Sequence, residues 1–305
     1  MAKIAFIFPG QGSQKVGMGK DFYDNFSSAR QIYDTAKDIL GFDLTSISFT
    51  GPEEKLRQTK YTQPALYVHS FIIADLLKKK GITPMLSAGH SLGEFSALAY
   101  AEAFSFEQGL KLVRERARLM QEAGEKNPGS MAAIIGLDPE DVTNICFEIT
   151  KKHLVQPANF NSPQQVVISG SKEGVAEAIE AAKGKGARRV VELSVSGAFH
   201  SQLMADIADE FGKVLKKSDI RIPDIPVYAN VTAVSFSNPD EIETLLQRQL
   251  THPVRWVETI QNMIKDGIEK FVEIGSGKVL SGLVRRIDKN VEVVQCGTVE
   301  ELEKF

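Results

Sequence analysis

The chain has 305 residues, 43% of them hydrophobic and 25% charged, which suits a globular protein and excludes a disordered or fibrous one. Its net charge of −3 gives no global reason to expect nucleic acid or an anionic membrane as a partner. Cys146 and Cys296 stand far apart and lack metal-ligand spacing, so neither a disulfide scaffold nor a metal site is expected. The apolar run in residues 1–8 is too short for a signal peptide core, and no stretch approaches a membrane span, so a cytoplasmic location is expected.

Ile4–Phe8 reads as a buried strand, and Pro9–Gly19 as a glycine-rich loop leading into a helix. A long helix follows from about Gln63 to Lys80, with Lys78, Lys79 and Lys80 at the negative end of its dipole and Gly81 ending it. An extended stretch at Thr83–Ala88 meets a helical pattern at Phe95–Phe104, and an amphipathic helix occupies about Phe106–Gly124. This alternation predicts an α/β fold with a parallel sheet covered by helices.

Residues 127–195 change character. Met131–Gly136, Val155–Phe160, Val166–Ser169 and Arg189–Val195 read as extended, with helices at Pro139–Lys151 and Lys172–Lys183. That order is the pattern of a ferredoxin-like unit, expected as an insertion between two parts of a main domain, 1–126 and 196–305. The second part is expected to hold helices at Ser201–Lys217, Glu241–Gln249, Trp256–Lys265 and Gly277–Arg286. Strand pieces are expected near Val227 and at Lys270–Ile274.

Gly89-His90-Ser91-Leu92-Gly93 joins the extended stretch to the helix, the arrangement by which a chain presents a serine nucleophile at a sharp turn. The Leu92 amide would then lie at a helix N-terminus, aimed at a developing oxyanion. Of five histidines, His69 and His153 are expected to be packed or solvated, and His90 to brace the turn. His252, in a loop before Pro253, remains a weak alternative. His200 is the best candidate base. It stands where the Ser201–Lys217 helix begins, so the dipole should keep its imidazole neutral. A histidine that only caps a helix is the competing reading.

In the Phe106–Gly124 helix, Arg114 and Arg118 fall on the polar side, whereas Arg116 falls between Val113 and Met120 on the apolar side. An inward arginine needs an anion, either an acidic residue or a substrate carboxylate. The Gly10-Gln11-Gly12-Ser13-Gln14 loop lacks the third glycine of a dinucleotide fingerprint, since Lys15 stands there, but it could offer a second oxyanion donor.

Phe8-Pro9-Gly10-Gln11-Gly12-Ser13-Gln14, Gly89-His90-Ser91-Leu92-Gly93-Glu94 and Gly197-Ala198-Phe199-His200-Ser201 together resemble the malonyl-CoA:acyl carrier protein transacylases. Arg114-Glu115-Arg116, Asn159-Phe160-Asn161-Ser162-Pro163 and Gln249-Leu250 before Pro253-Val254-Arg255-Trp256 agree with this, so the resemblance spans the chain. It implies an α/β-hydrolase-like core with a ferredoxin-like insertion and no cofactor. It implies Ser91 as nucleophile, His200 as base, the Gln11 and Leu92 amides as oxyanion hole and Arg116 as the carboxylate clamp. It also implies that a carbonyl at Gln249 orients the histidine, and that Phe199 before His200 matches malonyl-selective members. The implied partners are malonyl-CoA and an acidic acyl carrier protein, in fatty acid biosynthesis. Lys183, Lys185, Arg188 and Arg189, or Lys278, Arg285 and Arg286, are candidate docking clusters, either of which alone could simply be a solvated charge run. A serine hydrolase built on the same elbow is the main rival, and a carrier-binding module without activity a further one.

Overall fold

The computed structural model describes residues 3–195 and 197–305. Residues 1 and 2 of the apolar N-terminal run and residue 196, the expected start of the second core segment, lie outside them. The chain begins with β1 (Ile4–Phe8) and four short helices, α1 (Lys20–Asn25), α2 (Ser27–Leu40), α3 (Leu44–Thr50) and α4 (Glu53–Leu56). Then come α5 (Thr59–Lys79), β2 (Leu86–Gly89), α6 (Gly93–Tyr100) and α7 (Phe106–Lys126). The next stretch holds β3 (Gly129–Ile135), α8 (Pro139–Ile149), β4 (Val155–Ser162), β5 (Gln165–Ser171), α9 (Lys172–Gly184) and β6 (Arg189–Glu192). A single 3-10 turn (Gln202–Met204) leads into α10 (Ala205–Leu215), β7 (Val227–Tyr228), α11 (Pro239–Gln249) and α12 (Trp256–Lys265). The chain closes with β8 (Lys270–Ile274), α13 (Val279–Ile287), β9 (Glu292–Cys296) and α14 (Val299–Leu302).

Five strands form a parallel sheet in the order β7-β2-β1-β8-β9. Side chains alternate across a strand, and β1 divides accordingly between two apolar layers. Phe6 and Phe8 join the larger core with Leu66, Val68, Phe95 and Leu110 from α5, α6 and α7. Ala5 and Ile7 face the other way, onto Trp256, Ile260 and Met263 of α12 and Leu280, Leu283 and Val284 of α13. Covered on both faces, β1 reads as an apolar run.

A separate antiparallel sheet has the order β4-β5-β3-β6. Ala132, Ile134, Val166 and Ile168 pack on α8 and α9. Met131, Ala133 and Val167 point instead into the larger core. The two sheets are also tied through backbone. Phe160 N–H donates to the Val254 carbonyl at 2.9 Å, and Val254 N–H donates to the Ala158 carbonyl at 2.9 Å. Asn161, one residue beyond this seam, bonds His90, the residue that follows β2. No helix among the described residues is long and apolar enough to cross a membrane.

Candidate active site

The turn after β2 is built by glycines that let three backbone segments touch. A methyl group on Gly89 would lie 1.9 Å from the Gly93 carbonyl group, and one on Gly93 would lie 2.0 Å from the Phe8 carbonyl oxygen. The close fit leaves Ser91 at φ 52°, a left-handed conformation rare for a side chain with a β-carbon. Asn230 fixes the bend from below. Its Oδ1 accepts from the Ser91 N–H at 2.7 Å and its Nδ2 donates to the Gly89 carbonyl at 2.6 Å.

Ser91 Oγ lies 2.9 Å from His200 Nε2, and His200 Nδ1 lies 2.7 Å from the Gln249 carbonyl oxygen. A carbonyl only accepts, so Nδ1 carries the ring proton and Nε2 presents its lone pair to the serine hydroxyl. Among the described residues no carboxylate bonds the His200 ring. The His200 loop is held by Gln156 of β4, whose Nε2 donates to the His200 and Thr251 carbonyls at 3.2 and 3.1 Å.

The reason for a neutral imidazole differs from the sequence expectation. The residue capping the 3-10 turn is Ser201, and α10 begins only at Ala205, so His200 is not the first residue of a helix. Burial is the main cause that depresses His200, to about 3, and the Arg116 charge adds to it against the bond to the Gln249 carbonyl. The His252 ring bonds the Arg248 carbonyl, His90 bonds Asn161 Oδ1 at 2.8 Å, and among the described residues neither ring hydrogen-bonds the Ser91 hydroxyl.

Arg116 is fully buried on the inner side of α7 and makes no ion pair among the described residues. Its Nη1 donates to Gln63 Oε1 at 2.8 Å, and its Nη2 donates to Gln249 Oε1 at 2.7 Å and to Ser91 Oγ at 3.0 Å. The guanidinium also lies over the Phe95 ring, 5.4 Å from its centre. Burial lowers Arg116, to about 10, and the Glu94 charge opposes this. Arg114 and Arg118 do face outward, onto the Ile39 carbonyl and the carboxylates of Glu115, Glu122 and Glu210.

Gln11, Leu92, Ser91, Arg116 and His200 all line one cavity of about 100 Å³, closed by Met120, Met131 and Phe199. Among the described residues neither the Gln11 nor the Leu92 amide donates a hydrogen bond to the protein. The acyl transferase domain family matches residues 5–302. The chain belongs to that family. The malonyl CoA-acyl carrier protein transacylase of Bacillus subtilis is 44% identical over 99% of this chain and 96% of its own length. Among solved structures, an acyl carrier protein S-malonyltransferase from Vibrio cholerae superposes with a TM-score of 0.96 at 43% identity, covering 99% of each chain. A malonyl-transacylase in complex with a type II PKS acyl-carrier protein also matches at 0.96, with 41% identity over 99% of this chain and 98% of its own.

Two residues of this acyl transferase site escape a reading by motif, Gln63 and Asn230, neutral amides with no pattern of their own. Glu94 falls within the serine motif but carries no role from it, at the head of an apolar helix. For Gln63 the one signal is polarity at a buried position of α5. The basic clusters are also rearranged by folding. Arg188 and Arg189 meet Arg285, Arg286 and Lys289 around one groove of about 700 Å³. Lys278 does not line it, and Lys183 and Lys185 pair with Glu180 and Asp141. Ser162 and Pro163 form part of that groove, next in the chain to the Asn161 that holds His90.

Proposed function

We propose that this protein transfers the malonyl group of malonyl-CoA to the phosphopantetheine thiol of an acyl carrier protein, through an ester on Ser91, in fatty acid biosynthesis. The observation that carries the proposal is the buried Arg116 fork within 3.0 Å of Ser91 Oγ, bonded to neutral amides instead of a carboxylate. A buried cation without an ion-pair partner, beside a nucleophile, suits an acyl group that brings its own carboxylate. A serine hydrolase needs no such group.

In the first half-reaction His200 Nε2 takes the Ser91 proton as Oγ attacks the thioester carbonyl. The Gln11 and Leu92 amides receive the oxyanion. Collapse breaks the carbon–sulfur bond, and CoA leaves with the proton held by His200. In the second, His200 takes the proton of the carrier's thiol, the sulfur attacks the malonyl ester, and Ser91 regains its proton. Arg116 gives up its contact with the free Ser91 hydroxyl and binds the malonyl carboxylate. Met120, Met131 and Phe199 limit the acyl group to a short one. The reaction requires no cofactor or metal.

The same reading takes 1–126 and 196–305 as an α/β-hydrolase-like core and 127–195 as a ferredoxin-like insertion, supported by the antiparallel order β4-β5-β3-β6. The arginine-lined groove receives the acidic carrier, and the enzyme works in the cytoplasm, with neither nucleic acid nor membrane as partner. The test is transfer from malonyl-CoA to a phosphopantetheinylated carrier protein, with acetyl-CoA in parallel. Rapid malonylation of the carrier supports the reading, whereas release of free malonate with no carrier product favours the hydrolase.

A further inference from the structure

Glu94 is fully buried at the start of α6, and no step above uses it. A carboxyl group in such a place is costly unless it is held. Its Oε2 accepts from Gln249 Nε2 at 2.7 Å and from the Asn230 N–H at 3.1 Å. Gln249 in turn touches His200, Ser91 and Arg116. Its main-chain carbonyl holds His200, its Nε2 also donates to the Ser91 carbonyl at 3.0 Å, and its Oε1 accepts from Arg116 at 2.7 Å.

The line Glu94–Gln249–Arg116 therefore places an acidic group one amide away from a buried guanidinium. A direct ion pair would neutralise Arg116 and fill the fork that a substrate carboxylate needs. Acting through the amide, Glu94 holds Gln249 Oε1 toward the guanidinium and leaves the fork open. It also polices the amide's orientation. With the Gln249 side chain turned over, its carbonyl would face Glu94 Oε2 and the Ser91 carbonyl, and its NH2 would face the Arg116 donors. Glu94 and its two donors form the anchor against that turn.

We propose that Glu94 is a positioning residue for acyl selection: through the Gln249 side chain it aims Arg116 toward a carboxylate-bearing acyl group without occupying the fork itself. This rests on the reading that the site transfers such a group.

The test compares kcat/KM for malonyl-CoA and acetyl-CoA, at fixed carrier concentration, in the wild type, Glu94→Met and Glu94→Gln. Glu94→Met should lose about a hundredfold on malonyl-CoA, the scale of a misplacement of about 1 Å, and much less on acetyl-CoA. Glu94→Gln keeps an acceptor for both donors and should recover most of the malonyl activity. Adding Glu94→Met to Arg116→Ala should cause no further malonyl loss, because the two act as one unit. Equal losses on both substrates, or full malonyl activity in Glu94→Met, would overturn the proposal. If Glu94→Met fails to fold, Gln249→Met cuts the same bridge and keeps the main-chain carbonyl. It should show the same selective loss, and an equal loss would again refute the idea. A wild type that malonylates no carrier would instead overturn the reaction itself, and this proposal with it.

Discussion

Replacing Arg116 by alanine removes a buried cation and the three hydrogen bonds that its two terminal nitrogens make, while Ser91, His200 and the two oxyanion amides stay in place. The malonyl carboxylate would then enter a cavity lined mainly by apolar groups with no counter-charge. Truncating one partner of a buried, hydrogen-bonded charge pair costs about 2–5 kcal/mol, which at about 1.4 kcal/mol per decade is about 30-fold to about 4,000-fold in kcat/KM. An acetyl group never met that charge, so its transfer should fall by less than about tenfold. Arg116→Lys keeps the charge without the planar fork and should lie between. The assay is stopped-flow acylation of Ser91 by each thioester, with thermal unfolding to confirm that the variants fold. Equal losses for malonyl and acetyl would show that Arg116 supports the fold and does not read the substrate.

Because burial and the Arg116 charge hold His200 near 3, well below the ordinary histidine value of 6.5, the base stays deprotonated as pH falls. The kcat/KM for malonyl-CoA should therefore show no acid limb from neutral pH down to about pH 5, whereas a limb near 6.5 would contradict this. Gly93→Ala puts a methyl group 2.0 Å from the Phe8 carbonyl oxygen, a clash with backbone that no side chain can relieve. It should destabilise the protein by about 1–3 kcal/mol or more, read as a lower denaturant midpoint, and unchanged stability would refute the tight-elbow account. Reversing charge at Arg189 and Arg286 should raise the KM for the carrier about tenfold and flatten its salt dependence. Acylation at saturating malonyl-CoA should not change, and an unaltered carrier KM would move docking elsewhere.

The strand–elbow–helix around Ser91, the amphipathic α7 and the strands and helices of 129–192 are readable because each depends on local pattern: glycines at a bend, or apolar residues at period 2 or 3.6. Trp256–Lys265 and Lys270–Ile274 agree to the residue. Four helices, α2, α3, α4 and α14, go unread, although Ala29, Tyr33, Ala36 and Leu40 of α2 recur at helical spacing. The strand β9 goes unread as well, and its place at the sheet edge is a tertiary fact. At the site, the inward Arg116 follows from periodicity, but its partners do not. Gln63, Asn230 and the Gln249 side chain come from three distant segments and meet only after folding. The sequence suggests a helix dipole as the cause of the neutral His200, whereas the folded site supplies burial, a property that only the assembled structure has.

Intact-protein mass spectrometry shows whether one serine carries the malonyl group between two thiols. After mixing with malonyl-CoA the wild type should gain a malonyl increment and Ser91→Ala none, and the increment should pass to added phosphopantetheinylated carrier protein. An adduct that decays only to free malonate, or one that persists in Ser91→Ala, would contradict this.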